Sequence, residues 1–293
     1  MTPGLWRSGR FSYLFLTPSV LLLLGLTVYP LLYIVRLSLH RGTAAGEIFV
    51  GLENFRRLFA DPFLLQAAAQ TLLLTFGALA VEFLLGLGLA LLLDAQLRGR
   101  HFWRALFLLP LFLPPVVVGV IWRLIYNPSF GVLNGLLRAA GVDTTRSTWL
   151  ADPAWALPAV IFVDVWEWTP FVFLILLAGL QAIPEEPYEA ARLDGSTSWQ
   201  TFRYITLPLL APAILVALLL RTMDLVRLFD QVFILTQGGP GFATETISLY
   251  IYKTAFRFSD FGYAAAVSLV LLAVTLLLSH FYIRLLDREA PSS

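Results

Sequence analysis

The chain has 293 residues, is 58% hydrophobic and only 13% charged, and its mean hydropathy is +0.78, which is more apolar surface than one soluble core can bury. Its 20 basic residues nearly balance 19 acidic ones, so there is no basic field to hold nucleic acid. Cysteine is absent and His40, His101 and His280 are far apart in sequence, which leaves no support for a disulfide framework, a thiol nucleophile or a His/Cys metal centre.

A helix crossing the hydrocarbon layer needs about 20 apolar residues, and six such stretches occur. The first, 11–35, follows Arg7 and Arg10; it is too long for a secretory signal and lacks a small-x-small cleavage site, so it reads as a retained span. The second is 71–93 and contains Glu82. The third, 105–126, carries Pro110, Pro114, Pro115, Gly119 and Arg123. Proline removes a backbone donor and clashes with the preceding turn, so this span is predicted to be irregular and to border a cavity where its freed backbone groups find partners. The fourth is 157–180, with Asp164, Trp166, Glu167 and Trp168; the fifth is 209–231 and the sixth 262–283. A polar loop, 181–208, joins the fourth and fifth. The expected fold is therefore all-α, a single membrane domain over 1–293 with six transmembrane helices.

Orientation follows from the basic residues of the connections. With both termini inside, segments 1–10, 94–105, 181–208 and 284–293 hold nine in 60 positions, and the outer segments 37–66, 128–156 and 232–261 hold seven in 89. The bias favours cytoplasmic termini. Lys253 is the one lysine and no glycine occurs in the six residues before it, so a G-x-x-x-x-G-K phosphate loop is absent and the chain is not expected to bind ATP that way.

The fifth span carries Arg221, Asp224, Arg227 and Asp230 after twelve uncharged residues. A charge near mid-bilayer costs roughly 2.5 to 3.5 kcal/mol on insertion scales, so these groups are expected to pair or to face water. Spaced by three, they fit a self-neutralised ladder along one helix; they equally fit the lining of a polar solute path. Glu82, at similar depth, serves as a counter-ion to Arg221 or as a ligand. Asp164 and Glu167 share a helix face, and carboxylates with indole rings suit a sugar, whose hydroxyls donate and whose ring has an apolar side; bundle packing accounts for the tryptophans as well. The candidate path residues are thus Asp164, Trp166, Glu167, Arg221, Asp224, Arg227 and Glu82, with Gly119 and Arg123 of the third span.

In the 181–208 loop, residues 189–193 favour helix, Ala190 and Ala191 permit close approach of a partner, and Gly195 permits a turn. Trp199, Phe202 and Ile205 recur at helical spacing, giving a second short segment that Pro208 is expected to end. A helix-turn-helix results. Glu189-Ala190-Ala191, then Gly195, Ile205 and Leu207-Pro208 resemble, at every fixed position, the signature loop of ATP-binding-cassette importer permeases. Gly51-Leu52-Glu53-Asn54-Phe55, Phe229-Asp230 and Leu235-Thr236-Gln237-Gly238-Gly239-Pro240 are similar to motifs of the carbohydrate group, the maltose and glycerol-phosphate type.

The resemblance implies a permease subunit of a sugar importer in the bacterial cytoplasmic membrane, working by alternating access. It implies Glu189, Ala190, Ala191, Asp194 and Gly195 as the coupling contact with a dimeric cytoplasmic ATPase, which holds the ATP and magnesium. It further implies a second related permease and an extracytoplasmic solute-binding protein. Two rivals remain on the residues alone. In a gradient-driven transporter or channel, Glu82, Asp164 and Glu167 would be ion sites, and in an intramembrane enzyme Asp164 and Glu167 would form an acid-base pair.

Overall fold

The computed structural model describes residues 9–43, 46–94, 100–142 and 148–289. Parts of the segments counted above for charge bias, 1–8, 95–99, 143–147 and 290–293, lie outside the described residues. The elements run α1 (Gly9–Ser38), β1 (His40–Thr43), β2 (Gly46–Phe49), α2 (Glu53–Ala60), α3 (Pro62–Asp94), α4 (Arg100–Leu108), α5 (Pro115–Ile125), α6 (Val132–Ala139) and α7 (Pro153–Ala182). They continue with α8 (Glu186–Leu193), α9 (Ser198–Thr201), α10 (Leu207–Val226), α11 (Asp230–Leu235), α12 (Ile247–Tyr252) and α13 (Phe261–Glu289). Among the described residues the fold is all-α apart from the β1–β2 ribbon, which pairs antiparallel with His40 opposite Phe49.

Among the described residues, five helices are long and apolar enough to cross a membrane: Leu16–Ser38, Pro62–Asp94, Pro153–Ala182, Ser198–Val226 and Phe261–Arg288. The third span is broken. Phe102–Phe112 and Pro115–Ile125 meet at 96°. Pro114 sits at the corner in extended backbone, and the Leu113 N–H turns back to the Pro110 carbonyl at 3.1 Å. The irregularity expected from the prolines is therefore a corner and not a mild kink.

The fifth span also departs from the expected pattern at both ends. Pro208 does not end the preceding helix: α9 runs through a wide turn, Phe202–Thr206, directly into α10. Such a turn shifts the hydrogen-bond register by one residue, which accommodates a proline's missing donor without stopping the helix. At the other end α10 stops at Val226, and Asp230 opens a separate short helix.

Packing groups the chain into two compact units, residues 1–61 with 251–271, and 62–250 with 272–293. In the first, buried Asn54 donates from Nδ2 to the carbonyls of Ser38 (2.8 Å) and His40 (2.9 Å), tying α2 to the ribbon. Gly262 packs so closely that a Cβ there would overlap the His40 carbonyl. Arg57 bridges Asp260 at 2.9 Å and lies over the Tyr263 ring, while the Tyr263 hydroxyl donates to Asp61 at 2.6 Å.

In the second unit α7 is the central helix, packed against α3 and α10. Ala90, Leu93, Val172, Phe173, Leu176, Leu180, Leu210 and Ala217 form its core. Small residues set the spacing: a Cβ on Gly86 would lie 2.8 Å from Val172 Cγ1, and one on Gly179 would press on Ala213. Lipid supplies no hydrophobic drive between helices, so close van der Waals packing of this kind holds the bundle.

Candidate functional site

Above that core the three helices replace apolar packing with a charged knot. Arg221 of α10 is 1% exposed and donates through Nε to Glu82 Oε2 at 2.7 Å and through Nη2 to Glu82 Oε1 at 2.8 Å. The same Nη2 reaches Asp164 Oδ2 at 2.7 Å. Glu82 on α3 and Asp164 on α7 are both fully buried. A planar fork meeting one carboxylate with two bonds is the strong geometry for such a pair, and it satisfies the charge that lipid would penalise. The Arg221 guanidinium also lies 4.7 Å from the Trp168 ring centre. One turn along, Glu167 is buried and accepts from Gln231 Nε2 at 2.6 Å.

The helical ladder expected over four residues extends only over three. Asp224 sits between Arg221 (3.6 Å) and Arg227 (3.7 Å), at distances longer than the contacts of the knot. Asp230 lies beyond the break at Arg227, so it cannot continue an i,i+3 series. Asp224 and Arg227 are about half exposed and face a cavity of about 290 Å³. Pro115, Trp168, Arg221, Asp230 and Gln231 also line it. The broken span thus borders a cavity through the first residue of α5.

The structure brings together Glu82, Asp164, Arg221, Asp224 and Arg227, with Glu167 beside them. It places Trp166 elsewhere: its ring meets Trp122 edge-on at 5.5 Å on the far side of α7, apart from Trp168 two residues on. Gly119 is a packing position, since a Cβ there would stand 2.9 Å from the Ile234 side chain of α11. Arg123, exposed, reaches the Ile234 carbonyl at 3.4 Å and lines a second cavity of about 360 Å³. Gln231 was not singled out by sequence; a glutamine at the end of an apolar run carries no signal of its partner 64 residues away.

In the loop, α8 presents Glu189 and Ala190 to the outside and buries Ala191. Asp194 follows the helix, and Gly195 turns the chain with φ +71°, a left-handed conformation that a residue with a Cβ resists. The Tyr188 hydroxyl meets Thr206 Oγ1 at 3.3 Å, which pins α8 to the start of α10. Thr197 caps α9 reciprocally with Gln200: the Gln200 N–H donates to Thr197 Oγ1 at 3.3 Å and Gln200 Oε1 accepts from the Thr197 N–H at 2.8 Å.

Residues 82–290 match the family model described as binding-protein-dependent transport system inner membrane component. The chain belongs to this family. It is a multi-pass membrane permease component and not an enzyme. Similar permeases align over nearly their whole length. The trehalose/maltose transport system permease protein MalF of Thermococcus litoralis is 37% identical over 281 residues, covering 95% of this chain and 94% of that protein. The sulfoquinovosyl glycerol permease SmoG of Agrobacterium fabrum is 35% identical over 278 residues, covering 94% and 90%. The trehalose permease SugA of Mycobacterium tuberculosis is 33% identical over 285 residues, covering 96% and 90%. Among solved structures, a chain of a bacterial alginate ABC transporter, in complex with alginate pentasaccharide-bound periplasmic protein, superposes with a TM-score of 0.84 at 26% identity, covering 97% of this chain and 96% of that one.

Proposed function

We propose that this permease forms the translocation path of an ATP-driven importer for a sugar or sugar-like solute, and that α8 with the Gly195 turn is where a cytoplasmic ATPase docks. The names of the similar permeases, which carry trehalose, maltose and a sulfoquinovosyl glycoside, support the solute class. The observation that carries the docking role is the state of Glu189. It is exposed, has no ion pair with another described side chain, and stands on a helix whose opposite side is held by Ala191 and Tyr188. An acid left open on an anchored helix fits a basic group on a partner better than a role in this chain's own stability.

On this reading the ATPase dimer binds ATP and magnesium, and this chain supplies the lever. Closure of the ATPase pulls α8, and because α9 and α10 form one continuous helix, the pull passes directly along Ser198–Val226 to Arg221 and the cavity. A second, related permease supplies the other half of the path, an extracytoplasmic binding protein delivers the solute, and both termini are cytoplasmic.

The test is Glu189→Lys in the assembled importer in vesicles. The variant should reach the membrane and keep the wild-type melting temperature, while solute uptake and solute-stimulated ATP hydrolysis fall at least about tenfold, the cost of one poorly matched docking charge. Wild-type uptake by Glu189→Lys would refute the docking role. Native cysteine is absent, so Ser198→Cys gives a clean topology check. It should react with a membrane-impermeant thiol reagent from the ATPase side alone.

A further inference from the structure

The cavity beside Arg221 has a charge imbalance that bears on which sugars pass. Two guanidiniums, Arg221 and Arg227, stand among five carboxylates: Glu82 and Asp164 bonded to Arg221, Asp224 between the two arginines, Glu167 bonded to the lining Gln231, and Asp230 in the wall. By ordinary ionisation that leaves an excess of three negative charges. Adding Arg123, which lines the neighbouring cavity, still leaves two. Arg221 gives Nε and Nη2 to buried carboxylates, and Arg227, half exposed in the wall, gives Nε to the Met223 carbonyl and stands 3.7 Å from Asp224. Asp224 and Asp230 are exposed in the wall, where carboxylate oxygens accept from hydroxyl or ammonium donors.

We propose that this cavity selects uncharged or amino-bearing saccharides and rejects anionic ones such as uronates and sugar phosphates. The inference rests on the reading above that the cavity lies on the solute path. The wall itself carries Arg221, Arg227, Asp224 and Asp230, so the excess comes from the carboxylates packed behind it, and a net charge of one sign around a low-dielectric cleft raises the local concentration of the opposite sign and lowers that of its own. The hydroxyls of a neutral sugar suffer no such repulsion and find the acceptors they need.

The experiment uses the complete importer in vesicles, with Leu228→Cys as the one thiol in this chain and the ATPase, second permease and binding protein freed of accessible cysteine. Leu228 lines the cavity. Its modification rates by methanethiosulfonates of like size, bearing trimethylammonium or sulfonate, are divided by their rates with a free thiol. The cationic reagent should react faster by about tenfold or more at low salt, and the ratio should shrink at about 1 M salt, where screening reaches only a few ångströms. Asp224→Asn with Asp230→Asn should lower it. A ratio of one or less in the parent overturns the selectivity. Protection of Leu228→Cys by the transported solute tests the path separately. Protection with a ratio of one sinks the selectivity alone; a high ratio without protection sinks the path and with it the proposal. A thiol that no reagent reaches overturns both.

Discussion

The knot around Arg221 and the loop around Glu189 use the same residue types under opposite conditions. In the knot, a guanidinium and two carboxylates are all buried, and each contact is between 2.7 and 2.8 Å. In the loop, Glu185, Glu186, Glu189, Arg192 and Asp194 are all exposed, and no ion pair forms between them and other described side chains. A buried ion forfeits hydration and is kept only by its partners, so removing one partner strands the other. An exposed ion keeps its water, and its removal costs the fold almost nothing. The difference separates a charge that serves the fold from one held open for another molecule. Each variant below moves one region toward the other's behaviour.

The largest effect is expected from Arg221→Met, which keeps an unbranched apolar stem but removes the guanidinium and leaves Glu82 and Asp164 facing each other without a cation. Breaking a buried pair in this way costs about 3 to 5 kcal/mol. The variant should show a large loss of folded protein in the membrane and a lower melting temperature. Asp164 Oδ1 already has no hydrogen-bond partner among the described residues, so the site has little spare capacity to absorb the change. Adding Glu82→Gln and Asp164→Asn should restore most of the yield, since both members of each pair are then neutral. Failure of the triple variant to recover would mean that Arg221 acts through its shape, and that charge pairing is not what holds these three helices.

How far these two regions could be read in advance follows from how local their causes are. The loop was legible because everything that makes it lies within twenty residues: a helix-forming run, a glycine at the turn, and Trp199, Phe202 and Ile205 at helical spacing. The spans were legible because roughly 20 apolar residues in a row have one use. The knot was only half legible. The spacing of Arg221, Asp224 and Arg227 gave the local contacts, but these are the long ones, at 3.6 and 3.7 Å. The short bonds go to Glu82 and Asp164, 139 and 57 positions away, and no periodicity in one helix encodes which face of another it will meet. The same limit hid the 96° corner, since prolines mark where a helix fails without fixing the angle. It also set Trp166 and Trp168 on opposite sides of α7, where sequence had grouped them.

A smaller effect is expected at Gly195, and it sharpens the distinction between fold and docking. A Cβ there meets no atom within 4 Å, so any penalty comes from the backbone at φ +71°. For a β-branched residue the left-handed conformation costs roughly 1 to 2 kcal/mol, and asparagine tolerates it far better. Gly195→Val should therefore leave membrane yield and melting temperature close to those of the parent while uptake falls, and Gly195→Asn should keep most of the uptake. If the valine variant instead loses yield and the asparagine variant loses it equally, the turn serves folding of the chain and not presentation of α8.

The smallest effect is expected at Thr197, the cap that begins the helix running unbroken from Ser198 to Val226. Thr197→Ala removes the Oγ1 that accepts the Gln200 N–H and breaks the reciprocal pair, a loss of about 1 kcal/mol at a helix N-terminus. That cost falls on the first turn alone, because the rest of the helix is held by its packing against α7 and α3. The melting temperature should stay unchanged, while amide exchange at 198–201 quickens about fivefold, the equivalent of that 1 kcal/mol. Uptake should fall by less than the same factor if docking must re-form the frayed turn before force can pass along α10. An exchange rate that rises with uptake fully retained would show that the first turn transmits nothing, and that the lever begins further along, at the wide turn of Phe202–Thr206.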